Sequence, residues 1–342
     1  MVCVVGVNDR GNSLKEGSMN KFMVLALVGI LIVVGVGGLM RKNSHQDQMK
    51  NREEEIKIVA TFYPLQQFAL PILGDKGSIQ VVVPAGMEPH DFEPSLSDIR
   101  NIYDADLFLL NGAGIDAWAE KLLPELESKG VKVLRLADAI SLLPSEVEEE
   151  HEHATLESGV EEEHEHGEWD PHFWLDPILV QAEVRLLTQR LAQQFPHYRE
   201  YFEANQDQFL LTLNELDQEY RQGLSQCQKK EVITSHDAFR YLASRYGFTT
   251  HALAGLSPEE EPSSRRLADL AREVRAEGIE YIFFETLVSP KIAETLARET
   301  GASTLVFNPI EGVTEEEMAQ GMNYISLMRS NLAALQKALQ CE

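Results

Sequence analysis

The stretch Glu168-Trp169-Asp170-Pro171-His172-Phe173-Trp174-Leu175-Asp176-Pro177 divides this chain of 342 residues. Upstream of it, short apolar runs alternate with helical stretches. Downstream comes a long helical segment, after which the alternation resumes. A chain of this length has room for two core-bearing domains, and the division at 168–177 suggests where the first one closes.

Working back from it, four runs read as strands bounded by Gly, Pro or Asp: Ile56–Tyr63, Ser78–Pro84, Leu107–Gly112 and Val131–Leu136. Helices are expected between them at Pro64–Leu73, at Leu96–Tyr103 with Ser95 and Asp98 spaced as a capping box, and at Asp116–Lys129. Strands separated by helices imply a parallel sheet. Working forward, Pro177–Gln194 reads as a helix and Pro196 interrupts it. From Tyr198 to about Gln226, Tyr201, Phe202, Phe209, Leu213, Leu216, Tyr220 and Leu224 recur near helical spacing. A helix of that length would be roughly 40 Å long and suits a rigid strut between two lobes. Strands are then expected at Val232–Ser235, Thr249–Ala254, Tyr281–Glu285 and Ser303–Phe307. Ser289 and Pro290 read as a helix entry, Gly301 as its terminator, and Met322–Leu339 as a last amphipathic helix. The fold class is therefore α/β, with two lobes, each a parallel four-stranded sheet flanked by helices, joined by one long helix. The divisions are 56–196 for the first lobe, 197–228 for the linking helix and 229–342 for the second lobe.

Four polar residues lie where strand-like runs or the central stretch give out. They are His90 in Pro89-His90-Asp91, His172, His236 in Ser235-His236-Asp237, and Glu285 in Phe284-Glu285-Thr286. Ligand sites of open α/β sheets collect at the carboxyl ends of strands, so these side chains can converge on one crevice. Three imidazoles and a carboxylate form a tetrahedral ligand set for zinc. Asp91 is either a plain turn residue or the group that accepts from the far ring nitrogen of His90. His45, His197 and His251 are read as structural or solvent-facing.

Residues 145–169 shift abruptly in composition, with eleven glutamates, no Lys or Arg, and Glu-Glu-Glu-His-Glu-His twice, at 148 and 161. So acidic a stretch cannot bury enough apolar surface to offset the entropy of ordering. One reading is a solvated spacer. The other is a weak ion trap, because His151, His153, His164 and His166 recur at matching places beside carboxylates.

The formal net charge of −25 argues against nucleic acid or an anionic membrane surface as partner. Residues 22–40 form an uncharged apolar run flanked by Lys21 and Arg41-Lys42, long enough for a membrane anchor, with a cleaved signal as the alternative. Residues 1–21 precede it, carry no pattern over their first eighteen or so positions, and include Met19, a plausible true start. Residues 41–55 read as a solvated linker. Cys3, Cys227 and Cys341 form no CxxC pair, which excludes a thiolate zinc site. If the chain lies outside the cytoplasm, Cys227 and Cys341 could form a disulfide.

Taken in order, Pro-His-Asp-Phe-Glu-Pro from Pro89, Asp-Pro-His-Phe-Trp-Leu-Asp-Pro from Asp170, Ser-His-Asp-Ala-Phe from Ser235 and Phe-Phe-Glu-Thr from Phe283 resemble the metal receptors of bacterial zinc and manganese ABC importers. The acidic histidine stretch before the second motif resembles the zinc-uptake branch. The resemblance implies metal held between the lobes by His90, His172 and His236, with Glu285 at the position of an acidic fourth ligand or a water. It implies a zinc receptor, working as a monomer outside the cytoplasmic membrane, that hands Zn²⁺ to a permease driven by a cytoplasmic ATPase. A manganese receptor is the alternative, although His236 stands where that branch commonly has a carboxylate. A zinc hydrolase is the remoter rival, since three histidines and a water would match a catalytic site in ligand count. Against it, the chain has no H-E-x-x-H helix and no nucleophile–base pair. The lipid-attachment cysteine of many Gram-positive relatives is missing after the apolar run.

Overall fold

The strand β1 (Ile56–Ala60) shows why the sheets form: all its residues but Lys57 are buried. A strand covered on both faces reads as a near-continuous apolar run rather than an alternating one. The computed structural model describes residues 55–145 and 169–342. The expectations for residues 1–54, including the apolar run 22–40, and for the acidic histidine stretch lie outside the described residues. No helix among the described residues is long and apolar enough to cross a membrane.

β1 leads through α1 (Tyr63–Leu73) to β2 (Gly77–Val81), α2 (Leu96–Tyr103), β3 (Leu107–Leu110), α3 (Ala117–Ser128) and β4 (Val133–Arg135). All pairings are parallel and the order is β2-β1-β3-β4, with Ile58 opposite both Ile79 and Leu107. After the central stretch come α4 (Pro177–Gln194) and the 25-residue α5 (Arg199–Gly223). The second lobe follows as β5 (Glu231–Thr234), α6 (Arg240–Tyr246), β6 (Thr249–Ala252), α7 (Ser264–Glu277), β7 (Tyr281–Phe284), α8 (Lys291–Thr300), β8 (Ser303–Val306), α9 (Glu315–Ala319) and α10 (Tyr324–Ala338). Its sheet is also all parallel and repeats the topology, in the order β6-β5-β7-β8. Each sheet therefore reverses its winding between its two central strands, and the crevice beyond that point is where ligands collect.

Local chemistry fixes the helix ends. Ser95 and Asp98 make the expected capping box, and Asn323 with Ser326 makes another at the head of α10. Two details differ from the sequence reading. α8 starts after Pro290 with no side-chain cap, so Ser289 does not serve as one. Asp116 does not enter α3 as a helical residue. It is buried and accepts from Thr61 Oγ1 at 2.8 Å, Asn111 N at 2.7 Å and Gly112 N at 2.9 Å. Burial pushes its carboxyl up to about 6 against those three donors.

The long helix ties both lobes. Asn205 Nδ2 donates to the Ile72 carbonyl of α1, while Tyr220 Oη donates to the Met328 carbonyl of α10. One apolar core runs through both lobes, from Phe68 and Leu109 through Trp174 and Leu213 to Phe239, Phe307 and Leu335. Cys227, just past α5, is disulfide-bonded to Cys341, which fastens the carboxyl end to the strut.

Candidate metal centre

His90 lies on the loop after β2, His236 two residues past the end of β5, and His172 just before the short 3-10 turn Phe173–Leu175. The structure brings these three side chains together, and the fourth member of the group is Glu311, on the loop after β8. His172, His236 and Glu311 are fully shielded from water, and the His90 side chain nearly so.

The donor atoms face one another at short range. His236 Nε2 lies 3.3 Å from His172 Nε2 and 3.1 Å from Glu311 Oε1. Glu311 Oε1 is in turn 3.3 Å from His172 Nε2 and 3.5 Å from His90 Nε2. Zinc–ligand bonds of ~2.0–2.1 Å in a tetrahedron put neighbouring donors about 3.3 Å apart, so these separations are those of a tetrahedron's edges. His90 Nε2 and Glu311 Oε2 are buried without a hydrogen-bond partner among the described residues.

Glu285 is where the structure departs from the sequence reading. Its Oε1 accepts from Nδ1 of His236 at 2.6 Å, on the far side of the ring from the cluster. Residing one step past β7, it reaches the crevice but meets the neighbouring β5 loop first. Asp170 serves His172 in the same way, accepting from its Nδ1 at 2.8 Å and its backbone N at 3.0 Å. With protons fixed on both Nδ1 atoms, the Nε2 lone pairs face the cluster, the arrangement by which carboxylates orient metal-binding imidazoles. Asp91 does not play that part for His90: it is exposed, and no hydrogen bond joins it to the ring among the described residues.

Glu311 is held by a strained loop. Ile310, fully buried, has φ +60°, a conformation costing a β-branched residue on the order of 1–3 kcal/mol. It persists because the loop is tied at several points. Asn308 Oδ1 accepts from Ile310 N at 2.7 Å, Asn331 clasps the Asn308 backbone with both amide atoms, and Trp174 Nε1 donates to the Pro309 carbonyl at 2.8 Å. Trp174 belongs to the same stretch as His172, so one segment positions two of the four donors. Its own carbonyl accepts from Tyr324 Oη at 2.7 Å.

The electrostatics suit a cation. Burial disfavours charge on His236, yet the Glu285 and Glu311 carboxylates outweigh it and hold its pKa well above the usual range. Burial likewise opposes charge on His172, and its bonds to Asp170 and Glu311 raise it. His90, with burial dominant, is lowered. Glu311 is driven well below the usual carboxylate range, its burial overcome by His236 and its bonds to the histidines. Glu88, two residues before His90, is pushed up to about 10 by burial and by Glu311, and its Oε1 accepts from His90 N.

The loop Asn308-Pro309-Ile310-Glu311 carried a legible signal, since it follows the strand-like run Ser303–Phe307 as His236 and Glu285 follow theirs. His151, His153, His164 and His166 lie outside the described residues.

Residues 58–338 match the family model for the periplasmic zinc-uptake complex component A, ZnuA. The zinc-binding lipoprotein AdcA of Streptococcus pneumoniae is 40% identical over 293 residues, covering 86% of this chain and 58% of AdcA. The chain thus spans a little over half the length of that curated relative. The high-affinity zinc uptake system protein ZnuA of Bacillus subtilis is 38% identical over 309 residues, covering 90% of this chain and 94% of the relative. Among solved structures, the Zn(II)-bound ZnuA-like domain of Streptococcus pneumoniae AdcA superposes with a TM-score of 0.71 at 38% identity, over 83% of this chain and 99% of that domain.

Proposed function

The chain belongs to the ZnuA family of zinc-uptake components, and from that premise we propose that it captures Zn²⁺ outside the cytoplasmic membrane and delivers it to the permease of an ABC importer. The observation that carries the reading is the cluster of four donors in which Glu311 Oε1 lies 3.1–3.5 Å from Nε2 of His90, His172 and His236. Three neutral imidazoles and one carboxylate leave bound zinc with one net positive charge, and the two carboxylates of Glu285 and Asp170 behind the rings more than offset it.

The same geometry supports capture rather than catalysis. A catalytic zinc site keeps one position open for water, and here Glu311 stands at the fourth corner. The hydrolase reading depended on an empty corner, and Glu311 at that position speaks for capture instead. Preference for zinc over manganese follows from the donor set, since manganese favours oxygen-rich octahedral shells. The acidic histidine stretch would act as a weak, multivalent collector through His151, His153, His164 and His166. The partners are zinc, the permease and its ATPase, with the chain acting as a monomer held at the membrane by residues 22–40 or released if these are cleaved.

Competitive titration of the full chain with zinc and with manganese tests this. One tight zinc equivalent, lost in His236→Ala, is expected. Tighter manganese than zinc, or no tight metal, would overturn it. Uptake is tested separately by growth, which should fail on deletion of the gene only under zinc starvation.

A further inference from the structure

Leu143-Pro144 and Trp169-Asp170, which flank the acidic histidine stretch, meet as a short antiparallel bridge with Pro144 opposite Trp169. Asp170 N donates to the Leu143 carbonyl at 2.9 Å. Helix α6 of the second lobe holds this junction through two consecutive residues. Tyr241 Oη accepts from Leu143 N at 2.8 Å and donates to the Asp170 carbonyl at 2.9 Å, so the hydroxyl of one buried side chain joins both flanks. Arg240 Nη1 donates to the Pro144 carbonyl at 2.7 Å and secures the first flank. Neither residue is a donor to the metal centre. Asp170, however, carries the carboxylate that accepts from Nδ1 of His172.

We propose that Tyr241 is a positioning residue for zinc capture: it fixes the backbone of Asp170 and, through the Asp170 carboxylate, the ring of His172. The inference rests on the capture reading above. Two features carry it. The Asp170 carboxylate bonds only to His172 among the described residues, through Oδ1, while its Oδ2 is buried without a hydrogen-bond partner. Its place is therefore set by the backbone that Tyr241 holds, and a ligand keeps its geometry only where its supporting groups are themselves locked. The Tyr241 ring also meets Phe173, the neighbour of His172, edge-on with 6.4 Å between ring centroids. Tyr241 lies five residues after His236. The stretch 236–241 thus sets two of the four donors, one as the ligand itself and the other by way of Asp170.

The test is a double-mutant cycle in the full chain, read as zinc affinity by competition with a chromophoric chelator. Tyr241→Phe keeps the ring against Phe173, removes the hydroxyl, and should weaken zinc about three- to tenfold. Asp170→Ala should cost about 10- to 100-fold. The double variant should bind no more weakly than Asp170→Ala alone, because Tyr241 acts through the group already removed. Losses that multiply, or Tyr241→Phe matching the parent, overturn the proposal. A second measurement needs Tyr241→Phe alone and serves if circular dichroism shows Asp170→Ala unfolded. In the zinc-loaded chain with isotope-labelled histidine, NMR should show faster solvent exchange of the His172 Nδ1 proton. The His236 Nδ1 proton, held by Glu285, should exchange as in the parent. Equal acceleration at both rings would mean general loosening, and no change at His172 would mean no positioning; either overturns the role. A parent chain without a tight zinc equivalent overturns the capture reading itself, whereas a parent that binds zinc beside a Tyr241→Phe variant that matches it overturns this inference alone.

Discussion

At Nε2 of His236 a proton and a metal ion compete for one lone pair. Burial opposes charge on this histidine, and the carboxylates of Glu285 and Glu311 outweigh it and raise it well above its usual range, so in the metal-free site they favour the proton. Zinc must displace it, because only neutral imidazole is a ligand. Affinity should therefore rise with pH while the raised histidines give up their protons, and then level off. Calorimetry at pH 7 in two buffers of different ionisation enthalpy should report net proton release on zinc binding, and buffer-independent heats would contradict this. The two glutamates separate by the same logic. Glu311→Gln removes a donor and should cost well over 100-fold in zinc affinity, whereas Glu285→Gln removes the support of a ring and should cost about 10- to 100-fold. Chelator competition ranks them, and equal losses would place both at the metal. The histidines were legible because each sits where a strand-like run or the central stretch gives out. Glu311 carried the same positional signal after Ser303–Phe307, but nothing in Asn308–Gly312 taken alone shows that Ile310 takes positive φ and that Trp174 grips the loop from 135 residues away, which is what brings its carboxylate to the histidines.

Among the elements, the loop after β8 and helix α4 make separate predictions. The loop stores strain that its hydrogen bonds offset, so releasing one bond should loosen Glu311 without removing a ligand. Trp174→Phe, which keeps an aromatic ring beside His172 but loses the donor to Pro309 and some buried volume, should weaken zinc by roughly tenfold or more at about 1.4 kcal/mol per decade, read by chelator competition. Unchanged affinity would show that the loop needs no such tie. In α4, Glu183 is fully buried with neither oxygen hydrogen-bonded among the described residues, and burial followed by the nearby Asp176 raises its pKa well above 4.5. A carboxyl raised in the folded state favours folding fully below its unfolded pKa, and this advantage is lost as pH rises from about 4.5 toward the folded value. Urea unfolding of Glu183→Gln should thus show a gain over the parent that grows between pH 5 and pH 8, and a constant difference would contradict it. The elements themselves were largely readable, since buried parallel strands declare themselves as apolar runs. Asp116 misled because a residue type that suits a helix start says nothing about whether tertiary contacts use its side chain elsewhere, here Thr61, Asn111 and Gly112.

For the whole molecule, two topologically matching sheets share the largest apolar cluster, to which α5 contributes, while each lobe keeps a smaller one of its own. Any change on metal binding must then be small or confined to loops, because a wide opening would expose Trp174, Leu213 and Phe307 together. The Cys227–Cys341 disulfide closes a span of 114 residues in sequence, so Cys227→Ser with Cys341→Ser should lower unfolding free energy by about 2–5 kcal/mol, measured by denaturant titration. No loss would mean that the packing of α10 on α5 already holds the terminus. The central claim is that one zinc ion sits among three imidazoles and Glu311. Anomalous diffraction at the zinc edge, from crystals of the full chain with one equivalent of zinc, tests it most directly. A single peak within about 2.0–2.2 Å of His90, His172 and His236 Nε2 and of a Glu311 oxygen is the expected result. A peak bonded to Glu285, or lacking any of the three histidines, would contradict it.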